Sequence, residues 1–494
     1  MRENLYLKIF KILIKKILSV LFLFLICSGL SISAVIKQQV KLAPNNIATW
    51  FWNTGVYNQD LRINNTPGME WLKNSGKFVL FTSGLSVGAF VNGQLRLANA
   101  SYNGEYAPGY VADSNGILKF KTDSRFKLYS VKYNDSPYIN PDVGLWKNIV
   151  TYGAPFNDIN YNGVYDDGID KPGMPDATQT MFVCITDADE SNHTTSEGFS
   201  GGTKPLYAET HITAWGYDSG VLDNVQFIQW EIVNKNKAAW DRTYFTVFND
   251  PDLGDAVDDY IGCDSAMQFA YSYNSDNQDG NGTGRTYGIN PPAVGLVLLR
   301  GPISKINTYD TIKTSSVNYF TGTGAAGSVC EQDPSSAVIQ SYNYMRGVKK
   351  DGTPWLNPTT TPPYITKFCY NGDPESNTGW TEYKGKIQNC GGATTGTLEL
   401  SPPGDRRLLM NIGSDNLRIG PGDTQRIVIA QAVERGTDNK NSVTKLKETL
   451  SLTKRVYYAV IENKETYFTE PPAPLPQTYK LYQIILIRLI PLQR

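Results

Sequence analysis

Histidine is scarce in this chain: only His193 and His211 occur among its 494 residues. Neither has a second metal-binding residue at the spacing of a zinc motif, and no His-Glu-x-x-His motif occurs. The sequence therefore gives no support for a zinc hydrolase, and neither histidine stands out as a catalytic base.

An excess of positive charge is also lacking. The chain has 46 Lys and Arg against 47 Asp and Glu, which gives a net charge of −1 and a pI near 6.2. Proteins that bind nucleic acids need a basic surface that neutralises phosphates. No nucleic-acid partner is therefore expected.

Cysteine is limited to six residues, of which Cys27 lies in the N-terminal apolar segment. The remaining five are an odd number, so they cannot all pair within one chain: Cys184, Cys263, Cys330, Cys369 and Cys390. Only a short loop separates Cys369 from Cys390, which makes these two the favoured disulfide pair. Buried free thiols are the alternative interpretation.

The first 36 residues have the order of a secretory signal peptide. A basic stretch from Arg2 to Lys16 precedes the apolar run Ile17–Leu30, and small residues follow at 31–34. This order predicts export into an oxidising compartment, with no stable membrane span after cleavage. An uncleaved membrane anchor is the alternative, because residues 17–36 are long enough to cross a bilayer.

Tyrosine, glycine and tryptophan are abundant, with 30, 44 and nine residues. Aromatic residues favour strands and glycines favour turns. Residues alternate between two faces in AETHITAWGYDSG and VQFIQWEIVNKN, and RTYFTVFNDPD follows, so three neighbouring strands of one antiparallel sheet are expected. Asn92-Gly93 predicts a hairpin turn, RIVIAQAVE at 426–434 a further strand, and the apolar spacing over 442–462 a helix.

The segment DINYNGVYDDGID, residues 158–170, begins like a calcium-binding loop. Oxygen-bearing side chains occupy alternate positions, and Gly163 then allows a sharp turn. The ligands that we predict all offer hard oxygen donors within this turn: Asp158, Asn160, Asn162, Val164 through its carbonyl, Asp166, Asp167 and Asp170. Ile169 stands where an EF-hand requires glutamate, so the loop is not an EF-hand. A hydrogen-bonded turn without metal is the alternative.

A second acidic segment follows the third of the strand patterns. Carboxylates this close in sequence repel one another unless a cation or solvent screens them. The candidate ligands for calcium here are Asp250, Asp252, Asp255, Asp258 and Asp259. A solvated acidic loop is the alternative.

Paired carboxylates offer one route to an enzymatic function. Asp218 with Asp223, or Glu375 with Glu382, could in principle hydrolyse glycosidic bonds. Such pairs are common on protein surfaces. We therefore expect a protein that is not an enzyme, and we keep an extracellular hydrolase acting on polysaccharide as the alternative.

Several long stretches resemble a family of large secreted proteins of Bacteroidota-type bacteria that leave the cell by type IX secretion. The stretches include SGLSVGAFVNGQLRLANASYNGEYAPG, DINYNGVYDDGIDKPGMPDATQT, NDPDLGDAVDDYIGCD, NPPAVGLVLLRGP, NGDPESNTGW and GDRRLLMNIGSDNLRIGPGDTQRIVIAQAVERGTDNKNSVTKLK. The resemblance implies a β-rich protein that is secreted or lies on the cell surface, with the type IX secretion machinery as a partner if the sorting domain is intact. It implies no reaction, because the family has no assigned catalytic residues.

The C-terminal residues match only the start of the sorting domain that such proteins carry. LPQTYKLYQ at 475–483 fits the first half of its motif, and IILIRLIPLQR at 484–494 replaces the second half. When one adenine is added after the Gln483 codon, permitted codons for this tail read Gln-Asn-Tyr-Pro-Asn-Pro-Phe-Asn-Pro-Phe-Thr-Thr, which restores the motif. We interpret the tail as an out-of-frame remnant, with retention in the periplasm expected if the truncated sorting domain does not function.

Taken together, the sequence predicts a mainly β fold of antiparallel β-sandwich-like domains with a short C-terminal helix. The expected segments are a signal peptide (1–36), an N-terminal β-rich region (37–150), a β-sandwich region with calcium-type loops and the helix (151–465), a proline-rich linker with the start of the sorting domain (466–483), and the tail (484–494). The expected function is that of a calcium-stabilised structural or interaction protein, for example in adhesion or in binding polysaccharide or other surface polymers.

Overall fold

Two large antiparallel β-sheets form the framework of the protein. The computed structural model describes residues 37–462, apart from 63–65, 196–197, 305–310, 326–327 and 335–336. The predicted signal peptide, the linker with the start of the sorting domain, and the tail lie outside these residues. The mainly β fold with antiparallel sheets and a C-terminal helix is confirmed.

The first sheet contains eight strands within the described residues. Its order is β1 (Gln39–Leu42), β2 (Ile47–Trp52), β3 (Met69–Trp71), β4 (Phe78–Val91), β15 (Asp241–Pro251), β28 (Arg407–Gly413) and β21 (Thr314–Phe320), with β5 (Gln94–Ala98) paired to β4. Because β5 follows β4 through Asn92 and Gly93, which have φ of +51° and +77°, the predicted hairpin turn is confirmed.

The second sheet contains nine strands in the same part of the chain. Its order is β16 (Asp259–Asp264), β17 (Phe269–Asn274), β20 (Ala293–Arg300), β29 (Thr424–Glu434), β14 (Val225–Asn234), β13 (Ala208–Gly216), β12 (Gln179–Thr186) and β6 (Ala107–Pro108), with β9 (Tyr129–Lys132) paired to β12.

Short hairpins and helices surround the sheets. The hairpins are β7/β8 (Tyr110–Ser114, Ile117–Lys121), β10/β11 (Phe156–Asn157, Lys171–Pro172), β18/β19 (Gln278–Asp279, Gly288–Ile289), β22/β23 (Trp355–Asn357, Tyr364–Thr366), β24/β25 (Gly372–Asp373, Thr378–Gly379) and β26/β27 (Lys386–Gln388, Thr397–Glu399). The α-helices are α1 (Pro141–Leu145), α2 (Val338–Met345) and α3 (Asn439–Val456), and α3 ends in a π-turn at Tyr457–Ile461. Single 3₁₀ turns lie at Trp146–Asn148, Val150–Tyr152, Glu190–Asn192, Gly220–Leu222, Ala256–Asp258, Val329–Glu331 and Glu382–Lys384.

The alternation along β14 places its apolar side chains in two different layers. Ile228 and Trp230 join the apolar cluster that the two sheets share, whereas Phe227 faces the opposite cluster beneath α3. Helix α3 contributes Leu446 and Leu450 to that second cluster. Burial of a leucine side chain contributes about 1.5–3 kcal/mol, so these contacts hold the helix against the second sheet.

The third of the expected neighbouring strands lies in the other sheet. Strands β13 and β14 pair as predicted, but β15 crosses to the first sheet and pairs with β4 and β28. The alternation of side chains defines the two faces of a strand but does not identify its neighbour. Three successive strands in one sheet were therefore a wrong prediction.

The two β-rich regions expected on either side of residue 150 form one unit. Strands β1 to β5 share the first sheet with β15, β21 and β28, and β6 and β9 share the second sheet with β12. The described residues from Gln38 to Glu462 also cluster as one compact unit. The expected boundary at 150 thus runs through both sheets rather than between two domains.

The disulfide joins Cys330 to Cys390, with a Cα–Cα distance of 5.8 Å, so the expected pairing of Cys369 with Cys390 is wrong. Cys369 is a buried free thiol, and the Cys263 thiol donates to its carbonyl at 3.2 Å. Cys330 belongs to the 3₁₀ turn at Val329–Glu331, and Cys390 follows the end of β26, so the fold brings these two segments into contact. Proximity in the sequence therefore did not identify the partner.

We expect Cys390→Ser to lower the free energy of unfolding by about 2–5 kcal/mol, because the bond restricts the unfolded chain across a long loop. Chemical denaturation of the oxidised protein measures this change. Cys369→Ala is the matched control and is expected to cost only about 1 kcal/mol. A non-reducing peptide map that joined Cys369 to Cys390 would contradict the assignment.

Candidate metal centre

Three aspartates meet where two neighbouring strands of the first sheet end and begin. Strands β15 and β28 are antiparallel, and Asn249 lies opposite Leu408. The C-terminal end of β15 therefore lies beside the N-terminal end of β28. This arrangement brings Asp250 and Asp252 to Asp405, and these three residues are called the acidic cluster below.

Each residue of the acidic cluster offers one carboxylate oxygen, and the three oxygens lie within 4.8 Å of one another. Arg407 Nη1 donates to Asp405 Oδ2 at 2.5 Å, and Arg407 Nε lies 3.6 Å from Asp250 Oδ1. Tyr102 Oη donates to Asp250 Oδ2 at 2.5 Å. Arg407 contacts two of the three carboxylates, and Arg285 also acts electrostatically on Asp252, so two guanidinium groups oppose three carboxylates and the ionised cluster keeps an excess of negative charge.

Two oxygens of the acidic cluster are buried without a hydrogen-bond partner: Asp250 Oδ1 and Asp405 Oδ1. The side chain of Asp250 is only 5% exposed. A buried oxygen that accepts no hydrogen bond costs the protein its lost hydration. Hard carboxylate oxygens of this kind are the ligands that Ca²⁺ prefers, so the residues present fit such an ion.

The electrostatics of the acidic cluster favour protonation when no cation is bound. Burial raises the pKa of Asp252 to about 7, Asp405 adds to the rise and Arg407 opposes it. Burial also raises the pKa of Asp250 well above its usual range, although Arg407 counteracts this effect. A bound cation would favour the ionised forms instead.

The other three aspartates of this segment are not members of the acidic cluster, although Asp255 adds to the rise in the pKa of Asp252. Asp255 Oδ1 accepts from Val257 N at 3.3 Å, and Asp259 Oδ2 accepts from Leu253 N at 3.1 Å. Asp258 Oδ1 accepts from Asn274 Nδ2 at 2.7 Å, and burial raises the pKa of Asp258 to about 6. Asp255 and Asp259 therefore accept from backbone N–H groups of the turn, and Asp258 links the turn to β17.

The loop 158–170 is closed by its own hydrogen bonds. Asp158 accepts from Asn162 N and Gly163 N at 3.2 and 2.7 Å, and Asp170 accepts from Ile159 N and Asp166 N at 2.8 and 2.7 Å. Gly163 has a φ of +77°, which is the sharp turn that its position predicted. The end carboxylates thus contact backbone N–H groups of the loop.

The remaining predicted ligands of this loop also have partners. Asn160 Nδ2 and Asn162 Nδ2 both donate to Asp166 Oδ2, at 2.7 and 2.6 Å, and these hydrogen bonds lower the pKa of Asp166. Asp167 pairs with Lys147 at 2.6 Å. Val164 donates its N–H to Asn162 Oδ1 at 2.8 Å and exposes its side chain. Calcium binding in this loop stays a prediction.

Asp405, Arg407 and Tyr102 were not identified from the sequence. Asp405 lies in GDRR, an acidic and basic pair directly before the apolar strand β28. That local signal is real but weak, because it becomes informative only once β28 is known to lie beside β15. Tyr102 is still further away in sequence and gave no signal.

A buried cysteine and a histidine are neighbours on two adjacent strands of the second sheet. Cys184 lies opposite His211 in the pairing of β12 with β13. Burial alone lowers the pKa of His211, but its polar interactions with Cys184, Glu209 and Glu231 outweigh this effect and raise the pKa to about 11. Burial also raises the pKa of Cys184, whose thiol donates to Gly109 O at 3.3 Å and is fully buried. A buried thiol is a poor nucleophile, so the pair supports packing rather than catalysis.

Two stretches match the Gly-x-Ser-x-Gly pattern of serine hydrolases, at 84–88 and 198–202. Ser86 is buried within β4, and the Ser200 hydroxyl lies 2.7 Å from that of Ser341 in the interior. A nucleophile elbow instead exposes its serine on a strand-to-helix turn. Neither serine has that position.

The carboxylate pairs suggested for hydrolysis differ in their surroundings. Glu382 is buried and pairs with Arg406 at 3.0 Å, whereas Glu375 accepts from Asn441 Nδ2 at 2.8 Å near the start of α3. Asp218 lines an open surface pocket with Asp176 and Tyr133. Glu375 and Glu382 thus serve separate structural contacts.

No protein-family profile matches this chain, and no curated protein matches it. None of the helices within the described residues is long and apolar enough to cross a membrane.

In the absence of a divalent cation, we expect the melting temperature to fall as the pH rises from about 5 to about 8. The pKa of Asp252 is about 7 in the folded protein against 3.8 ordinarily, so the folded state holds a proton that the unfolded chain has released. The stability from this proton is present at low pH and lost as the pH rises through 7.

Thermal melts of Asp252→Asn in chelator test this expectation, because the variant cannot release the proton and should show a smaller fall. Asp241→Asn is the matched control, since Asp241 is 44% exposed and pairs with Arg418 on the surface. Equal pH dependence in wild type and Asp252→Asn would contradict the assignment.

Proposed function

We propose that the protein is a secreted or cell-surface structural or interaction protein that calcium stabilises, and that it is not an enzyme. The observation that carries this proposal is the acidic cluster at the ends of β15 and β28, with its two unpartnered buried oxygens. A divalent cation there would offset the repulsion between the carboxylates and link the two strands.

Calcium is favoured because the cluster offers only carboxylate oxygens. Thiolate and imidazole ligands, which select zinc and copper, lie elsewhere among the described residues. Calcium tolerates flexible geometry and accepts additional water ligands. The loop 158–170 is proposed as a second calcium site, on the strength of its sequence pattern.

Export is supported by two independent features. The basic and apolar N-terminal segment matches a signal peptide, and a disulfide suits an oxidising compartment. The resemblance to type IX-exported proteins supports the cell surface as the destination and the type IX machinery as a partner, with the periplasm as the location if sorting fails.

Binding of a surface polymer is supported by exposed tyrosines. The tryptophans are buried in the core, apart from the partly buried Trp50, so they do not form a sugar-stacking surface. Tyr138 and Tyr161 are instead 99% and 91% exposed. Exposed aromatic rings can stack on the apolar faces of sugars, so these two residues are proposed as polymer contacts.

We expect calcium to raise the melting temperature and a chelator to lower it. At a calcium concentration of a hundred times Kd, the gain in stability is about 2.7 kcal/mol. Asp405→Asn should remove most of the gain from the acidic cluster, and Asp158→Asn reports separately on the loop. Asp123→Asn, an exposed aspartate paired with Arg125, is the matched control. An unchanged transition in chelator would refute the calcium proposal.

We expect Tyr138→Ser combined with Tyr161→Ser to weaken binding to insoluble polysaccharides several-fold, because each stacked ring contributes about 0.5–1.5 kcal/mol. Pull-down with a panel of insoluble polymers measures this effect. Tyr364→Ser is the control, since Tyr364 is half-exposed and bonds to Asn357. Release of reducing ends from the polymer would favour the hydrolase alternative instead.

A further inference from the structure

A buried polar cluster lies beside the disulfide, remote in sequence from the ends of β15. Its members are Glu331, Lys349, Lys386 and Asn389, and they are called the lysine cluster below. The disulfide joins the residue before Glu331 to the residue after Asn389. The side chains of Glu331 and Lys349 are each 1% exposed. Lysine and glutamate side chains are rarely buried this completely unless they are paired with groups of opposite charge.

Lys349 lies between a carboxylate and a side-chain amide. Its Nζ donates to Glu331 Oε1 at 2.5 Å and to Asn389 Oδ1 at 2.7 Å. The other oxygen of Glu331 accepts from Lys386 Nζ. A lysine nitrogen thus contacts both an acid and the carbonyl oxygen of an amide, inside the protein.

The amide of Asn389 is held in one orientation. Its Nδ2 donates to Ala393 O at 2.6 Å and to Pro354 O at 3.1 Å, so its carbonyl faces Lys349. The Trp355 ring lies 4.9 Å from Lys349 Nζ and is itself buried. Exclusion of water protects an activated amide from hydrolysis, and fixed proximity replaces a bimolecular encounter.

The charge balance of the lysine cluster favours a reaction. Two ammonium groups share the one carboxylate of Glu331, so the lysine cluster itself holds one more positive charge than negative charge. Burial disfavours such a charge. Loss of the Lys349 charge would leave Glu331 and Lys386 as a matched ion pair.

From these contacts we infer that Lys349 and Asn389 form an intramolecular isopeptide bond. Glu331 takes one proton from the Lys349 ammonium, and the neutral Nζ attacks Cγ of Asn389. The second proton of the attacking nitrogen passes to the Asn389 amide nitrogen, the Cγ–Nδ2 bond breaks, and ammonia leaves. The ammonia then takes the proton held by Glu331.

The step balances without an oxidant or reductant. One amide bond forms between Nζ and Cγ, one amide C–N bond breaks, and one ammonium ion is released. Glu331 returns to its ionised form and stays paired with Lys386. The new bond closes residues 349–389 into a loop nested within the disulfide loop.

Mass spectrometry of the purified, folded, full-length protein tests the inference directly. After reduction and digestion, we expect one peptide that joins the segments of Lys349 and Asn389. Its mass should lie about 17 Da below the summed masses of the two separate peptides, because forming the bond releases one ammonia. Reduction is essential, because the disulfide joins neighbouring residues.

Three variants assign the roles. Lys349→Arg and Asn389→Ala should abolish the joined peptide, and Glu331→Gln should slow its appearance by at least about 100-fold, as removal of a general base does. Lys350→Arg is the matched control, because Lys350 is adjacent in sequence but donates to Asp333 O, and it should retain the bond.

Two results would overturn the inference, and both come from the wild-type protein, so they do not depend on variants that fold. The first is recovery of the two segments as separate peptides of unchanged mass. The second is a loss of ammonia confined to the Asn389 peptide, which would indicate a succinimide at Asn389 instead of a cross-link.

Discussion

The pairing of β15 with β28 is the contact on which the first sheet and the acidic cluster both depend. Strand β15 lies between β4 and β28, and it joins the N-terminal strands to those near the C-terminus. Because the pair is antiparallel, the residues after β15 and those before β28 meet at one edge. Without this pairing, Asp250 would not lie close to Asp405 or Arg407. The acidic cluster is thus a consequence of strand order, and a cation bound there would in turn hold the two strands together.

Uncompensated buried charge connects the two centres of this molecule. The acidic cluster has more carboxylates than cations near it, and the lysine cluster has more ammonium groups than carboxylates. Burial penalises both, because neither excess charge keeps its hydration. The first excess can be removed reversibly by a bound cation or by protons. The second can be removed permanently by bond formation, since an amide and an acid lie in contact with the lysine. The cost of burying excess charge therefore favours cation or proton binding in the acidic cluster and bond formation in the lysine cluster.

Features that depend on neighbouring residues were predictable from the sequence, and features that depend on distant pairing were not. The two faces of β14, the turn at Asn92-Gly93 and helix α3 follow from local spacing. The sheet that β15 joins and the Cys330–Cys390 bond require contacts across long stretches of chain. The same distinction holds within the acidic cluster, since Asp250 and Asp252 stand out in the sequence and Asp405 does not. The loop 158–170 is intermediate, because its turn at Gly163 was predictable but its internal hydrogen bonds were not.

The segment between β21 and β28 explains why these centres lie where they do. None of its described strands belongs to either large sheet, and these strands are only two or three residues long. Its contacts with the sheets include single bridges from Phe368 to Val317 of β21 and from Asn371 to Cys263 of β16. Such a segment gains little from long hydrogen-bonded ladders and needs other constraints. The disulfide and the lysine cluster constrain its interior, and the acidic cluster lies where the chain rejoins the first sheet at Asp405 and Arg407. A covalent or ionic link in this segment would therefore add stability that its short strands do not supply.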